Sequence, residues 1–318
     1  MARPRVWLLR EATILRRVAA KRYSVKTEIA HRTGLLDRRD FLRQLALAGT
    51  GLSGLLPVGA GAVRGRQLHI RNYTDVVSLD PPNVISGAEG VITDAIFQSL
   101  LNYKYDGTWD TQLDAAEYFE QVDATQYRFR LKPGQMFSDG FGEMTADDVK
   151  FSFERIIDPG LNALNAPDVG PLSHVDVQDR YSGTLVLKSP YAAFIPLGVA
   201  GGTGAIMSRR ALQSAGGQFT TRPPACSGPY RVREWQAKRK TVLEKNPAWM
   251  GSKPGFDEIH VYAMTSDKAA EMAFEAGQLD CARISVESAE PFRMDMPPDS
   301  RLQIYPSTRN YWLGMNQS

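Results

Sequence analysis

The side chains best suited to proton transfer or metal binding are four histidines, His31, His69, His174 and His260, and no two stand at a ligand spacing on one helix. Asp139, Asp147 and Asp148 have the make-up of paired carboxylates, which general acid–base chemistry needs. A second role competes: Thr145-Ala146-Asp147-Asp148 places an acid three positions after a threonine, the pattern of a helix cap, and Asp139 belongs to a turn. Gly201-Gly202-Thr203-Gly204 lacks the preceding strand and following helix of a phosphate-cradling loop, and the nucleophile-elbow pattern is absent. Cys226 and Cys281 lack zinc or haem spacing. One disulfide or two buried thiols are both open to them. Trp109, Trp235, Trp249 and Trp312 could line a pocket, with core or rim packing the more ordinary role. This inventory contains no recognisable catalytic set, cofactor site or metal site, which by itself decides little because catalytic triads are spatial and not sequential.

The compartment comes from the other end of the chain. Residues 1–62 are expected to be a signal peptide. A basic stretch ends in Arg38-Arg39-Asp40-Phe41-Leu42, an uncharged run follows over 45–56, and Ala60-Gly61-Ala62 offers a small-residue cleavage pattern. The paired arginines point to the twin-arginine export route and hence a periplasmic location. Cargo of that route folds in a reducing cytosol, which tilts the cysteines towards thiols. The run is too short and glycine-rich for a membrane span. The chain has 38 basic and 35 acidic side chains, a net charge of +3. Residues 1–62 hold 12 of the basic and 4 of the acidic ones, so the remainder carries 26 against 31, a net charge of −5. A mildly acidic body without a basic stripe excludes nucleic acid as a partner.

The elements that would position any site interleave strands and helices. Gln67-Leu68-His69-Ile70-Arg71 alternates as a strand, and Ile92, Ile96 and Leu100 recur at helical spacing. Tyr127, Phe129 and Leu131 alternate with arginines. Val149, Phe153, Ile156 and Ile157 share a helical face behind Thr145. Residues 230–233 and 241–244 read as a hairpin, Ile259 and Val261 as a strand, and Ser266-Asp267 as the cap of a helix ending at Gly277. Leu279-Asp280-Cys281-Ala282 reads as a further strand. The sum is a mixed α/β protein without repeats.

Several blocks, in order, carry a family likeness. Residues 131–140 (LKPGQMFSDG) and 144–155 (MTADDVKFSFER) resemble the most recognisable stretch of the family 5 extracellular solute-binding proteins of ABC importers, the family of oligopeptide-, dipeptide- and nickel-binding proteins. Ser227-Gly228-Pro229-Tyr230, Glu244-Lys245-Asn246-Pro247, Gly277-Gln278-Leu279-Asp280 and Gly314-Met315-Asn316 are similar to later blocks. The resemblance implies an α/β fold of the periplasmic binding protein-like type (type II, cluster C), two-lobed, with most of the second lobe absent. It implies lobe I mixed sheet over 63–100 and 205–285, an inserted subdomain over 101–204 and a truncated start of lobe II over 286–318. With one jaw a ligand would stay largely solvated and bind weakly or not at all, and a sheet edge would be exposed.

By the same resemblance the loop after the first strand, Ile85, Ser86, Gly87 and Ala88, faces the ligand through backbone groups, and Ala282 and Arg283 form a second ligand-facing segment. Arg283 has the chemistry to pair with a ligand carboxylate. The implied function is capture of a peptide or similar polar solute and its delivery to an ABC transporter permease, with no enzymatic step and no cofactor; implied partners are the ligand, the permease and the twin-arginine machinery. Competing expectations are an exported hydrolase with scattered catalytic residues, or a non-functional truncated remnant.

Overall fold

The computed structural model describes residues 5–8, 66–84, 86–104, 108–296 and 300–304. In chain order these form β1 (Arg5–Leu8), β2 (Gln67–Asn72), α1 (Gly87–Ile96), β3 (Leu101–Tyr103), β4 (Thr111–Leu113), β5 (Ala116–Gln121), β6 (Gln126–Leu131), β7 (Met136–Phe137) and β8 (Gly142–Glu143). Then come α2 (Ala146–Ile156), β9 (Leu172–Val177), β10 (Ser182–Leu187), α3 (Arg209–Ser214), β11 (Tyr230–Gln236), β12 (Lys240–Lys245) and β13 (Glu258–Ala263). The last are α4 (Asp267–Glu275), β14 (Cys281–Ala282), α5 (Val286–Met294) and β15 (Ser300–Gln303). Apart from β1, the expected leader lies outside the described residues, as do His31, Ile85, Trp312 and the block 314–316.

A seven-stranded mixed sheet has the order β11-β12-β13-β2-β14-β1-β15. The alternation read over 67–71 is real: Leu68, Ile70 and Asn72 are buried on one face, and Gln67, His69 and Arg71 point to the other. β13 runs parallel to β2, with Ile259 opposite Leu68 and His260 opposite His69. β14 joins β2 on its other side, in parallel, with Cys281 opposite Ile70. α1 packs Val91, Ile92, Ala95 and Ile96 on the Leu68, Ile70, Ile259 and Val261 face. α4 bridges β13 and β14 and packs Ala270, Ala273 and Phe274 with Ala282, against Tyr262 and Met264. The two helices therefore leave the neighbourhood of β2 on opposite faces of the sheet. Phe292 of α5 and Leu302 of β15, within the stretch expected to begin the second lobe, join the α4 cluster.

A four-stranded antiparallel sheet, β5-β6-β10-β9, forms a second layer system. Its inward residues Tyr127, Phe129, Leu131, Val175 and Leu185 pack with Val149, Phe153 and Ile156 of α2. α2 begins as its sequence predicts: the Thr145 backbone N–H and hydroxyl both donate to the Asp148 carboxylate, at 2.9 and 3.0 Å, and Asp148 also accepts from Arg209 N at 3.0 Å. Asp139 sits at a turn with φ of 59° and pairs with Arg231 at 2.6 Å. These contacts account for Asp148 as a capping group and Asp139 as a turn group. The two sheets are joined by a buried pair, Arg155 with both oxygens of Asp80 at 2.7 Å each. They are also joined at Cys226, whose N–H donates to Ser138 Oγ at 2.9 Å and whose carbonyl accepts from Ser138 N at 2.8 Å.

Two expectations are corrected. The helix over 92–100 ends at Ile96, and Leu100 is buried instead in the core under the four-stranded sheet. The segment expected as a cleft-facing loop is the start of that helix. Ser86 is its N-cap and Gly87 and Ala88 open its first turn, because Glu89 completes a capping box with Ser86.

Candidate functional site

In open α/β sheets, ligand crevices lie outside the carboxyl ends of strands where successive connections depart to opposite faces. β2 is such a strand here, with α1 on one face and α4 on the other. The floor of its carboxyl end is organised by Arg71, whose side chain is 1% exposed. Its Nε donates to Met264 O at 2.9 Å, Nη1 to Arg283 O at 3.0 Å and Nη2 to Thr265 O at 3.3 Å. Asp267, at the start of α4, supplies the counter-charge at 2.5 Å. One guanidinium thus fixes the ends of β2, β13 and β14 at a common level, and its rigid fork of donors suits it to that task.

The next two residues of the chain reach the walls. Asn72 Nδ2 donates to Ala88 O at 3.2 Å, tying the strand end to the first turn of α1. The Tyr73 ring lies under the Arg283 guanidinium, 5.9 Å from carbon to centroid, within cation–π range. Glu89, fully buried, accepts from Val77 N at 2.7 Å, Ser78 N at 2.9 Å and Ser86 N at 3.1 Å. That carboxylate shapes the loop between β2 and α1 and occupies the positive end of the helix dipole.

The structure accordingly brings two sequence-expected segments, Ser86–Ala88 and Ala282–Arg283, to the end of the same strand. Ser86, Gly87 and Arg283 are half-buried; Ala88 and Ala282 are buried and offer no side chain outward. Ile85 lies outside the described residues. Sequence reasoning missed Arg71, Asn72 and Tyr73. The strand pattern over 67–71 contained Arg71, but a charged residue on the outward face of a strand reads as solvated; Asn72 and Tyr73 lie beyond the pattern.

Two of the histidines, far apart in sequence, meet in the fold. His69 and His260 are register partners, with ring centroids 4.9 Å apart. His69 Nδ1 meets Tyr262 Oη at 3.2 Å and His260 Nε2 meets Glu258 at 2.9 Å. The His260 contact, with Arg233 beside it, holds the Glu258 carboxyl below its ordinary range. No signal in one sequence pairs residues 191 positions apart. His174 stands away from both, near Asp176 at 3.3 Å. Cys226 and Cys281 are free, buried in the same apolar cluster, and burial pushes both thiols up to about 12. They are not reactive nucleophiles. Among the described residues no group of three or more His, Cys, Asp or Glu could hold a metal ion, and no helix is long and apolar enough to cross a membrane.

Comparison with known proteins follows the same outline. The model of the bacterial extracellular solute-binding proteins, family 5, matches residues 111–318. The probable D,D-dipeptide-binding periplasmic protein DdpA of Escherichia coli is 28% identical over 273 residues, covering 82% of this chain and 51% of DdpA. The periplasmic oligopeptide-binding protein OppA of Salmonella typhimurium is 22% identical over 293 residues, covering 85% of this chain and 53% of OppA. Among solved structures, the murein tripeptide binding protein MppA of Escherichia coli superimposes with a TM-score of 0.67 at 19% identity, over 74% of this chain and 49% of that one. AppA of Bacillus subtilis, in complex with a nonapeptide, gives 0.65 at 21% identity, over 71% of this chain and 45% of that one. The structural likeness establishes a periplasmic binding protein fold. The chain spans about half the length of the curated relatives it matches.

Proposed function

The chain belongs to the family 5 bacterial extracellular solute-binding proteins, and from that premise we propose that it captures a peptide or similar polar solute in the periplasm for delivery to the permease of an ABC importer. Members of this family bind solutes and leave them unchanged. The observation that carries the reading is the arrangement at the carboxyl end of β2, where Arg71 gathers three strand ends and Asn72 ties in the first turn of α1. Ser86, Gly87, Ala88, Ala282 and Arg283 are its ligand-facing positions, with the two alanines contributing backbone only. The ionisable groups around the crevice are engaged in caps and ion pairs, an arrangement suited to holding a shape and not to turning protons over. Export by the twin-arginine route is part of the proposal, on the strength of Arg38-Arg39 and the uncharged run behind them.

A thermal-shift screen against peptides, sugars and nickel, run beside chromogenic ester and glycoside assays, tests the reading. A ligand present at a hundredfold excess over its Kd stabilises the folded state by about 2.7 kcal/mol, a rise of several degrees in Tm for a domain of this size. The expected result is such a rise with a peptide, at the high peptide concentrations that the expected weak binding requires, and no turnover. Turnover of a chromogenic substrate without any ligand-dependent rise would replace the receptor by a hydrolase.

A further inference from the structure

One strand of the seven-stranded sheet comes from the far amino end of the chain. β1 lies between β14 and β15 and runs parallel to both. Val6 and Trp7 stand opposite Cys281 and Ala282, and Arg5–Leu8 stand opposite Ser300–Gln303. We propose, resting on the reading of residues 1–62 as a removable leader, that the gap between β14 and β15 is a strand-acceptor slot. Residues 5–8 of the same chain fill it before export, and it opens when the leader leaves.

Both lips of the slot are anchored without β1. Ala282 of β14 packs in the α4 cluster, and Leu302 of β15 packs against the same cluster. Cys281 packs in the cluster under α1, and its pairing with Ile70 ties β14 to β2. With β1 gone the lips stand two strand spacings apart, about 9–10 Å, too far to bond each other. Each then turns towards the other the backbone groups that β1 had paired. An extended segment entering between them gains ladder bonds on both sides, whereas one added at an outer edge gains them on one side only. Residues 5–8 suit the slot: Val6 is β-branched, Trp7 is aromatic, and no proline or glycine interrupts them. Their hold comes from attachment. A segment of the same chain acts at a high effective concentration, and cutting the chain behind it removes that advantage without altering a single contact. Loss of the leader therefore converts a continuous sheet into one with a vacant strand position beside β14.

Two measurements on the full-length chain test this. Leu8→Cys with Gln303→Cys puts thiols at register partners, within the Cα separation that a disulfide tolerates. Arg5→Cys with Gln303→Cys sets them three residues out of register, about 10 Å along the strand. The first pair is expected to oxidise to an intramolecular disulfide and the second to stay reduced. The other measurement is the rate at which a disulfide reagent labels Cys281, with Cys226 as internal control. Val6→Pro takes a donor out of the ladder and is expected to speed Cys281 about tenfold or more while Cys226 keeps its rate; Val6→Ile leaves both unchanged. A synthetic peptide of residues 3–10 slows Cys281 of Val6→Pro again, and the same peptide with proline at position 6 does not. If Val6→Pro speeds both cysteines, the cross-linking pairs decide. Equal oxidation of the two cross-linking pairs, or an unchanged Cys281 rate in Val6→Pro, overturns the slot. A disulfide-linked dimer in place of the monomer gives the slot to a second copy and overturns the occupant named here. N-terminal sequencing of the exported protein tests the leader separately. A start near residue 63 supports the opening step, and a start at Met1 overturns that step while the cross-link still decides where residues 5–8 lie.

Discussion

Arg71 carries a full charge at a position 1% exposed, and this is sustainable because three carbonyls and Asp267 surround it. Removing the guanidinium leaves those carbonyls without donors. Arg71→Met is therefore expected to lower the unfolding free energy by about 3–5 kcal/mol, measured by urea denaturation, a loss too large for a surface arginine. Asp267→Asn leaves the Arg71 charge, 1% exposed, without its counter-charge, so it too is expected to cost about 3–5 kcal/mol in the same assay. Glu258 provides a pH-dependent counterpart. Its folded pKa lies below the ordinary value of 4.5, through His260 first and Arg233 after it. A depressed carboxylate stabilises the fold while ionised. That contribution is present above 4.5 and is lost as pH falls from there through the folded value. Stability measured between pH 5 and 3 should fall less steeply in Glu258→Gln than in the wild type; parallel curves would remove Glu258 from the account.

Helix ends decide much of the architecture. The pattern Thr145-x-x-Asp148 is legible and both of its bonds exist. Ser86-x-x-Glu89 is the same pattern, and Gly87 and Gly90 within the first turns disguise it as loop. Losing the Ser86 hydroxyl in Ser86→Ala should cost about 1 kcal/mol, whereas Glu89→Ala strands the N–H groups of Val77, Ser78 and Ser86 and should cost more than twice that in the same urea assay. Leu100 shows the opposite failure. The fourfold spacing continues past Ile96, but the backbone turns away to bring Ser227 and Gly228 under Ile96. The approach is close: a Cβ on Gly228 would stand 2.6 Å from Ala95 O and 2.7 Å from Ile96 C. Gly228→Ala should destabilise by about 1–3 kcal/mol through backbone displacement, seen as a lower Tm at unchanged far-UV signal. α5 escaped notice because Pro291 lies inside it, and β3, β4, β7 and β8 are too short to show a period.

At the scale of the molecule, the mixed α/β class and the order of strands and helices were legible because long alternating strands bury one face. Which strands become neighbours was not. The β2–β13 register, the His69–His260 pair and the Arg71 junction all join residues roughly 190 to 210 positions apart. The two cysteines report on that long-range assembly. Both lie in the cluster between α1 and the seven-stranded sheet, and both thiols are pushed up to about 12 by burial. At pH 8 a thiol of that kind is protonated and shielded, so labelling by a disulfide reagent requires the structure to open. Their supports differ. Cys226 is held within a network that reaches Ser138 and Ile96: its N–H donates to Ser138 Oγ at 2.9 Å and the next N–H to Ile96 O at 3.0 Å. Cys281 belongs to a two-residue strand whose register with β2 is a single pair. Cys281 stands between β2 and β1, with few register pairs to either, and is expected to open at lower cost than Cys226, whose opening breaks the junction of both sheets. Labelling followed by mass spectrometry should therefore modify Cys281 first, with Cys226 following at the rate of global unfolding. A ligand seated at the end of β2 and β14 would slow Cys281 by its own binding factor until the two rates converge. Equal rates without ligand would mean that β14 opens only with the whole molecule, and that the crevice is as rigid before capture as after it.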